Sequence, residues 1–265
     1  MKTYRSRIFW VTGASSGMGE ALVYELLRRE ATVIASSNKA DEMEKVKSRC
    51  SENKELLSTV IFDLADTEAV EKAVAAQLGK HGRIDVLINL GGVSQRALIT
   101  ETPLWLDKKI MDINYFGTIA LSKAVLPYMI KQGSGHILAT SSISGRFGFP
   151  LRSAYSASKQ ALHGFFETLH LENRHKGVRA SVIIPGRVKT NISLNALTAT
   201  GQEHGKMDRG QARGISPEKA AKIILKGLNR NKREILVGGN ELIMLYIRKF
   251  FPSIFFNIAG RIKPE

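Results

Sequence analysis

Segment 155–159, "YSASK", places the phenol of Tyr155 and the ammonium of Lys159 four residues apart among small side chains. On a helix, residues four apart lie about 6 Å apart along the axis and on nearly the same face. A phenol has a pKa near 10, and a cation at about 4 Å favours the phenolate by around 4 kcal/mol at an effective dielectric of 20. Lys159 is therefore expected to lower the pKa of Tyr155 toward neutrality and to make it an acid–base group. The alternative is a solvated helix pair without chemistry.

A glycine-rich turn, "VTGASSGMG" (11–19), follows the first apolar run and opens a predicted helix. Its spacing, G-x-x-x-G-x-G, departs from the usual dinucleotide fingerprint, and a plain tight turn is the alternative. Its position after the first strand of a βαβ unit favours binding of a dinucleotide phosphate at the helix N-terminus. The residues expected to contact the cofactor here are Gly13, Ser15, Ser16, Gly17, Met18 and Gly19.

The second apolar run ends in "IASSNK" (34–39), where an acidic residue normally binds the adenosine ribose hydroxyls of NAD. No carboxylate stands there to repel a 2′-phosphate, and Lys39 lies within reach of one. This pattern favours NADP(H). NAD stays open as an alternative, because the arginine that often clasps the phosphate is also absent. The expected contacts at this end are Ser36, Ser37, Asn38 and Lys39.

Seven short apolar runs alternate with helical patterns along the chain. The runs are rich in Ile, Val and Leu and mostly lack period-2 alternation, which is typical of strands buried on both faces. Helix starts are indicated at Thr102-Pro103, at Ser216-Pro217 and at Asp66 or Thr67. We predict one α/β domain, a Rossmann-type doubly wound parallel sheet of about seven strands with helices on both faces. The runs are 7–13, 31–36, 56–63, 83–90, 135–141, 179–185 and 233–239.

The composition indicates a single globular domain and argues against a disulfide-bonded, membrane-spanning or specific nucleic-acid-binding protein. The chain has 265 residues, of which 43% are apolar and 24% charged, enough for one well-cored domain. Its single cysteine, Cys50, excludes an intramolecular disulfide and is expected to be an exposed thiol in a reducing compartment. With no secretory pattern and no spanning apolar run, a cytoplasmic location is expected. The net charge of +15 comes without a nucleic-acid-binding motif, so nonspecific attraction to anions is expected and specific nucleic-acid binding is not.

Two regions interrupt the alternation of strands and helices: a long loop inside the main domain, and a C-terminal extension that follows it. Residues 1–239 form the predicted cofactor-binding and catalytic domain, in which the long polar loop 190–214 is expected to shape the substrate pocket with Arg96, Phe147 and Phe149. Residues 240–265 form an apolar, basic helical extension. Two interpretations of this extension are open: peripheral contact with a membrane surface, or packing over the substrate cleft or a neighbouring subunit.

Four motifs in order, "TGASSGMG", "NLGG" (89–92), "YSASK" and "PGRVKT" (185–190), resemble the short-chain dehydrogenase/reductase family over nearly the whole chain. Within it, "SQRALIT" (94–100), "PLRSAYSASK" (150–159) and the tail resemble the member-seven branch, membrane-associated reductases linked to lipid-like or steroid-like ketones. The resemblance implies hydride transfer between NADP(H) and a ketone or secondary alcohol. The alternative is a catalytically idle, cofactor-binding scaffold or redox sensor at a membrane.

The resemblance also implies roles for individual residues. The catalytic set is Ser142, Asn114, Tyr155 and Lys159. Tyr155 gives its proton to the substrate oxygen, Ser142 donates a second hydrogen bond, Lys159 also holds the nicotinamide ribose, and Asn114 anchors a water for proton return. The further cofactor contacts, besides Tyr155 and Lys159, are Asp63, Leu64, Asn89, Gly91, Gly92, Pro185, Gly186, Val188 and Thr190.

Leu90 departs from the family pattern, which has a second asparagine there that ties neighbouring strands together. Either some loss of rigidity or a compensating repack is expected near the cofactor. The family also implies a homodimer or homotetramer through long helices around 104–131 and 154–175. No metal site is predicted, because the spacing of the acidic and histidine residues on the second helix matches no ligand motif. Those histidines are expected to be solvated or to face a subunit: His163, His170 and His175.

Overall fold

The computed structural model describes residues 3–259, in which seven strands form one all-parallel sheet. The sheet order is β3-β2-β1-β4-β5-β6-β7, so the order along the chain reverses between β1 and β4. In open sheets of this kind, ligands bind at that reversal, outside the carboxyl ends of the strands. The strands are β1 (Ile8–Thr12), β2 (Thr32–Ser37), β3 (Leu57–Ile61), β4 (Val86–Asn89), β5 (Gly135–Thr140), β6 (Val178–Pro185) and β7 (Glu234–Val237).

The helices within residues 3–259 follow the predicted alternation. A π-helical turn, Asp112–Phe116, joins α4 to α5, so the predicted helix around 104–131 is continuous. The helices are α1 (Gly17–Leu27), α2 (Ala40–Arg49), α3 (Thr67–His81), α4 (Leu104–Met111), α5 (Gly117–Lys131), α6 (Ser153–Asn173), α7 (Arg209–Ala212), α8 (Pro217–Asn229), α9 (Ile243–Phe250) and α10 (Pro252–Ala259).

Both faces of the sheet are covered by helices. Phe9 of β1 packs in the layer that contains Leu22 of α1 and residues of α8, whereas the neighbouring Trp10 packs in the opposite layer with Phe166 of α6. All four side chains are almost completely buried. This arrangement explains why the strand sequences lack polar alternation, and it confirms the predicted doubly wound fold.

Two of the three indicated helix starts are as predicted. Asp66 and Ser216 each accept a backbone N–H bond in the first turn of α3 and α8. The expectation for Thr102 was wrong, because α4 begins one residue later and Pro103 occupies the N-cap position. The Thr102 hydroxyl instead donates to the carbonyl of Leu98 (2.7 Å) in the preceding turn.

Cys50 is buried, contrary to the prediction of an exposed thiol. It follows α2 and joins the core layer on the α1 side, where its Sγ contacts the Glu52 carbonyl (3.4 Å). Burial raises the pKa of this thiol. The polar neighbours of Cys50 in the sequence point outward while its own side chain points inward, which local composition does not reveal.

Within residues 3–259, no helix is both long and apolar enough to cross a bilayer. The helices expected to meet a second subunit expose Phe116, Tyr128 and Leu171. The oligomeric state stays a prediction. Residues 260–265, the end of the predicted extension, lie outside the described part of the chain.

Candidate active site

A cleft of about 1400 Å³ lies along the carboxyl ends of the strands. It is lined by every residue predicted to contact the cofactor except Asn89, and by Ser142, Tyr155 and Lys159 of the predicted catalytic set. Arg96, Phe147 and Phe149, expected to shape the substrate pocket, line it as well. Ordinary ligand pockets measure roughly 300–1,000 Å³, so this cleft has room for a dinucleotide and a substrate together.

The glycine turn is packed so closely against its own backbone and the neighbouring segments that side chains have no space there. Gly13 has a φ of +62°, and a Cβ there would lie 2.7 Å from the Gly91 nitrogen. A Cβ on Gly19 would lie 2.1 Å from the Gly13 carbonyl oxygen, and one on Gly17 would lie 2.8 Å from the Thr190 methyl. Because α1 begins at this turn, its unpaired N–H groups are available to an anionic phosphate.

The strand ends beside this turn are held by side-chain hydrogen bonds. Thr12 Oγ1 of β1 accepts bonds from the backbone nitrogens of Leu90 (3.1 Å) and Gly91 (3.0 Å). The Leu90 side chain packs against the core layer on the α1 side, and which of its two expected outcomes holds stays a prediction. Asn89 points away from the cleft, and its amide donates to the carbonyl of Leu138 in β5 (3.1 Å). Asn89 therefore ties β4 to β5 and supports the cleft from behind.

At the predicted adenosine end of the cleft, polar side chains at the end of β2 and after β3 make hydrogen bonds to neighbouring elements. Ser36 is buried, and its hydroxyl accepts a bond from a core indole (3.0 Å). Ser37 donates to Ser15 of the glycine turn (2.9 Å), and Asn38 donates to Asp63 (3.3 Å). These contacts join the glycine turn, β2 and β3 into one wall, as a cofactor running across all three would require.

Tyr155 and Lys159 lie in the first two turns of α6, which faces the end of β5. The Lys159 ammonium donates to the Thr140 carbonyl (2.8 Å) and lies 5.9 Å from the centre of the Tyr155 ring. Ser142, which follows β5 and is buried, lies near enough to the Tyr155 phenol to lower its pKa. The structure thus brings together a phenol, a hydroxyl and an ammonium that are separated along the chain.

Burial controls the protonation of both the Tyr155 phenol and the Lys159 ammonium. It raises the pKa of Tyr155, against the opposing effects of the Ser142 hydrogen bond and of the Arg152 and Arg96 charges. It also lowers the pKa of Lys159 to about 8. Among the groups of the protein itself, burial therefore outweighs the nearby cations, and the expectation that Lys159, helped by an oxidised nicotinamide ring, lowers the pKa of Tyr155 toward neutrality stays a prediction. At neutral pH Tyr155 keeps its proton and Lys159 keeps its charge, so the phenol is set to donate.

Two arginines share one carboxylate beside Tyr155. The Arg96 side chain is 4% exposed, and its guanidinium pairs with Asp208 at 2.6 Å, while Arg152 pairs with the same oxygen at 2.9 Å. Asp208 belongs to loop 190–214, so the pair fixes the loop to the wall of the cleft. Sequence reasoning missed Arg152 and Asp208, because no local pattern connects positions so far apart.

Asn114 positions the site without lining it. It lies in the π-helical turn, a feature frequent at functional sites. Its side-chain nitrogen donates to the Val93 carbonyl (2.9 Å) and to the Ser158 hydroxyl of α6 (3.0 Å). Its side-chain oxygen accepts a hydrogen bond from the Val93 backbone N–H (2.8 Å). A Cβ on Gly92 would lie 2.7 Å from Asn114 Oδ1 and 3.2 Å from Lys159 Nζ, so a glycine is needed between them.

A family model for short chain dehydrogenases matches residues 7–200, a stretch that includes the glycine turn and the Ser142, Tyr155 and Lys159 cluster. The chain belongs to the short-chain dehydrogenase/reductase family. As a member of that family, it is an NAD(P)-dependent oxidoreductase with a Rossmann fold.

Curated relatives place this dehydrogenase/reductase in the member-seven branch. It is 40% identical over 266 residues to a dehydrogenase/reductase SDR family protein 7-like of Drosophila melanogaster, covering 96% of this chain and 80% of the relative. It is 38% identical over 258 residues to dehydrogenase/reductase SDR family member 7B of Xenopus laevis, covering 94% and 80%. These matches extend beyond the family motifs into loop 190–214 and the tail.

Solved structures share the fold. A short-chain dehydrogenase from Streptomyces avermitilis superposes with a TM-score of 0.82 at 25% identity, covering 96% of this chain and 97% of the other. A Burkholderia phymatum homologue solved with NAD has a TM-score of 0.82 at 19% identity, covering 100% and 98%. A Burkholderia cenocepacia homologue solved with NADP has a TM-score of 0.79 at 23% identity, covering 97% and 98%. The identity of the last two is low enough that they show the fold alone.

Behind the active site of this dehydrogenase/reductase, His163 is buried, and the prediction that it is solvated or faces a subunit was wrong. Its Nε2 lies 2.8 Å from Ser141 Oγ, which donates to the Lys159 carbonyl (2.7 Å). Burial lowers the pKa of His163 to about 4.

One group of side chains could offer ligands to a metal ion. Its possible ligand atoms, from His163, Glu167 and Glu234, lie within 4.8 Å of one another. The Arg146 guanidinium, however, already pairs with Glu234. The absence of a metal stays a prediction.

Proposed function

We propose that this dehydrogenase/reductase reduces a ketone to a secondary alcohol with NADP(H), and that Tyr155 is the proton donor. The observation that carries the proposal is that Ser142, Tyr155 and Lys159 line the same cleft as the glycine turn. Burial raises the pKa of the Tyr155 phenol, so it enters the reaction protonated, and Lys159 stays charged below about pH 8. A ketone oxygen that receives a hydride on its carbon needs such a donor.

Each residue of the cluster has a distinct task. When bound, a reduced nicotinamide supplies the hydride. Tyr155 gives its proton to the substrate oxygen, while the Ser142 hydroxyl donates a hydrogen bond to the same oxygen and stabilises its developing charge. The phenolate that remains is stabilised by nearby cations, namely Lys159 on the same helix and Arg152 and Arg96 on the cleft wall.

The preference for NADP(H) rests on the end of β2. Ser36 and Ser37 place no carboxylate there, and Lys39 supplies a cation beside them on the cleft wall. A 2′-phosphate is therefore attracted and not repelled by residues of β2 and its following turn.

We propose an extended, apolar ketone of lipid-like or steroid-like shape as the substrate. The support is an apolar wall on the substrate side of the cleft, which continues from Phe147 and Phe149 into the two C-terminal helices. Phe255 of α10 packs on Phe147 with ring centres 4.7 Å apart, and Met244 and Ile258 line the cleft. These contacts support the interpretation that the tail packs over the substrate cleft, one of the two left open by the sequence.

The substrate proposal predicts a chain-length dependence. Initial rates with NADPH over a series of aliphatic 2-ketones should give kcat/KM values that rise roughly two- to fourfold per added methylene until the cleft is filled. The same series with NADH measures the cofactor preference. A flat series would exclude an apolar substrate site. Absence of any turnover with ketones, or with the corresponding alcohols and the oxidised cofactors, would favour an idle cofactor-binding scaffold.

We further propose that the tail contacts a membrane surface, so that a lipid substrate reaches the cleft directly. Segment 243–259, which contains α9 and α10, leaves seven apolar side chains 41–60% exposed, of which Ile243 and Ile258 also line the cleft. Arg248 and Lys249 lie in α9. Apolar side chains beside basic ones are typical of helices that lie in a membrane interface without spanning it. The exposed residues are Ile243, Tyr246, Phe250, Phe251, Ile254, Phe256 and Ile258.

Liposome flotation tests this contact with variants that keep the fold. The full chain should float with vesicles that contain anionic phospholipid, and Phe250→Glu/Phe256→Glu should remain in the dense fraction. Phe116→Glu is the matched control, because Phe116 is similarly exposed but lies on the π-helical turn far along the chain from the tail. Equal flotation of all three proteins would exclude attachment through the tail.

A further inference from the structure

A short hairpin in loop 190–214 carries a carboxylate to the adenosine end of the cleft. Leu197 docks the hairpin against segment 94–96, since its N–H donates to the Ser94 carbonyl (2.9 Å) and its carbonyl accepts from the Arg96 nitrogen (2.8 Å). Backbone bonds from Thr198 to Gln202 and from residue 204 to residue 196 close the turn. Part of the loop that the sequence indicated as long and polar therefore forms a hairpin here, held by backbone hydrogen bonds.

Glu203 lies between those two backbone bonds, and its side chain reaches Lys39. The carboxylate is 3.7 Å from the Lys39 ammonium, although the two residues lie far apart in the chain. Both line the cleft, and both side chains are about half exposed. The hairpin therefore crosses from the β6 side of the cleft to the end of β2.

We infer that Glu203 sets the discrimination between NADP(H) and NAD(H), as the carboxylate that β2 lacks. The inference rests on the proposed cofactor site and specifies how that site selects. A phosphate monoester carries a charge of about −1.5 to −2 at pH 7. Lys39 attracts a 2′-phosphate, and Glu203, which shares the same ammonium, repels it. A free 2′-hydroxyl instead donates a hydrogen bond to a carboxylate. Glu203 thus weakens the preference for NADP(H) and retains use of NAD(H).

Solvent limits the size of this effect. Because both side chains are about half exposed, their charges act partly through water and are screened over about 10 Å at 0.1 M salt. The effect of removing one charge is therefore expected to be modest and sensitive to salt. A change caused by disordering the hairpin would not share that sensitivity to salt.

The test measures binding, so it does not depend on turnover. Dissociation constants for NADPH and NADH are obtained by titrating tryptophan fluorescence at low salt in the wild type, in Glu203→Gln and in Lys39→Gln. Glu203→Gln should bind NADPH roughly 5- to 10-fold more tightly than the wild type and NADH no more tightly. Lys39→Gln should weaken the binding of NADPH and leave the binding of NADH nearly unchanged. At about 1 M salt, where the screening length is about 3 Å, these differences should largely disappear.

Glu68→Gln is the matched control, because it removes the same charge from an exposed residue of α3 that pairs with Lys72 away from the cleft. It should change neither dissociation constant. An equal change for NADPH and NADH in Glu203→Gln, or no change in either, would overturn the inference and leave the proposed reductase standing. A wild-type protein that binds neither dinucleotide would overturn both.

Discussion

Replacing Tyr155 with phenylalanine should lower kcat for ketone reduction by roughly 10²- to 10⁴-fold, the range by which general acid catalysis accelerates a reaction. The phenylalanine ring fills the same partly buried space near Ser142 on the cleft wall, so the cofactor wall stays intact. The substrate oxygen, however, loses its proton donor. Affinity for NADPH should stay within about twofold of the wild type, because the glycine turn and β2 are unchanged. Initial rates give kcat, and fluorescence titration gives the affinity for NADPH.

Tyr128→Phe is the control for this variant. It deletes the same hydroxyl from an exposed tyrosine on α5, and both kcat and the affinity should match the wild type. Turnover of Tyr155→Phe close to that of the wild type would remove Tyr155 from the mechanism. A parallel loss of NADPH binding would instead assign Tyr155 a role in holding the cofactor.

Position along the sheet explains why so much of the site follows from sequence. Parallel strands end at one edge, so residues after different strands must meet there whatever the sequence between them. Gly13 after β1, Ser142 after β5 and Pro185 at the end of β6 were therefore placed together before any contact was known. The strand positions themselves followed from apolar runs of the right length. Of the residues predicted on this topology, all but Asn89 line the cleft, and their contacts with a cofactor stay a prediction.

Contacts made by loops were not predictable in this way. Asp208 pairs with Arg96 and Arg152, and Glu203 pairs with Lys39, through a segment whose sequence indicates only length and polarity. Their partners are set by where the hairpin docks, which depends on backbone bonds of Leu197 to a loop about 100 residues earlier. A charge in such a loop has no partner that its neighbours in sequence reveal.

Burial was the second quantity that sequence did not supply. The sequence argument for Tyr155 counted one cation and used a surface dielectric, but the structure buries the phenol, and its pKa rises. His163 was misjudged for the same reason, because a polar residue on an amphipathic helix was assumed to face water. In both cases the ionisable group was recognised from the sequence, but the degree to which its surroundings exclude water was not.

Replacing Lys159 with methionine should lower kcat by about 10²-fold or more and at the same time raise the free energy of unfolding at pH 7. Loss of a preorganised charge beside the reacting group accounts for the effect on kcat. The stability gain follows from burial, which lowers the pKa of Lys159 to about 8, compared with about 10.4 in an unfolded chain. Keeping the proton at neutral pH then costs the folded state roughly 3 kcal/mol. Methionine has similar length and no charge, but it loses the bond to the Thr140 carbonyl, worth about 1 kcal/mol, so a net gain of about 1–3 kcal/mol is expected.

The pH dependence of this difference identifies its cause. Below about pH 8 both the folded and the unfolded wild type hold the Lys159 proton, so the full penalty is present. Between about pH 8 and 10.4 only the unfolded chain holds it, and the wild type gains stability relative to the variant as pH rises. Urea unfolding of both proteins at pH 7 and near pH 10 should therefore show the gap closing. Lys123→Met, at an exposed position of α5, should stay within about 0.5 kcal/mol of the wild type at both pH values.

A Lys159→Met protein that is less stable than the wild type by the same amount at every pH would make the lysine a structural residue. The predicted combination, lower activity with higher stability, separates the enzyme from an idle scaffold. A chain that only bound a cofactor or reported its redox state would be more stable with an apolar residue at this buried position. An ammonium that destabilises the fold is retained to advantage where its charge acts on a bound cofactor or on a reaction, and the loss of kcat at unchanged NADPH affinity would assign the Lys159 charge to the reaction that we propose beside Tyr155.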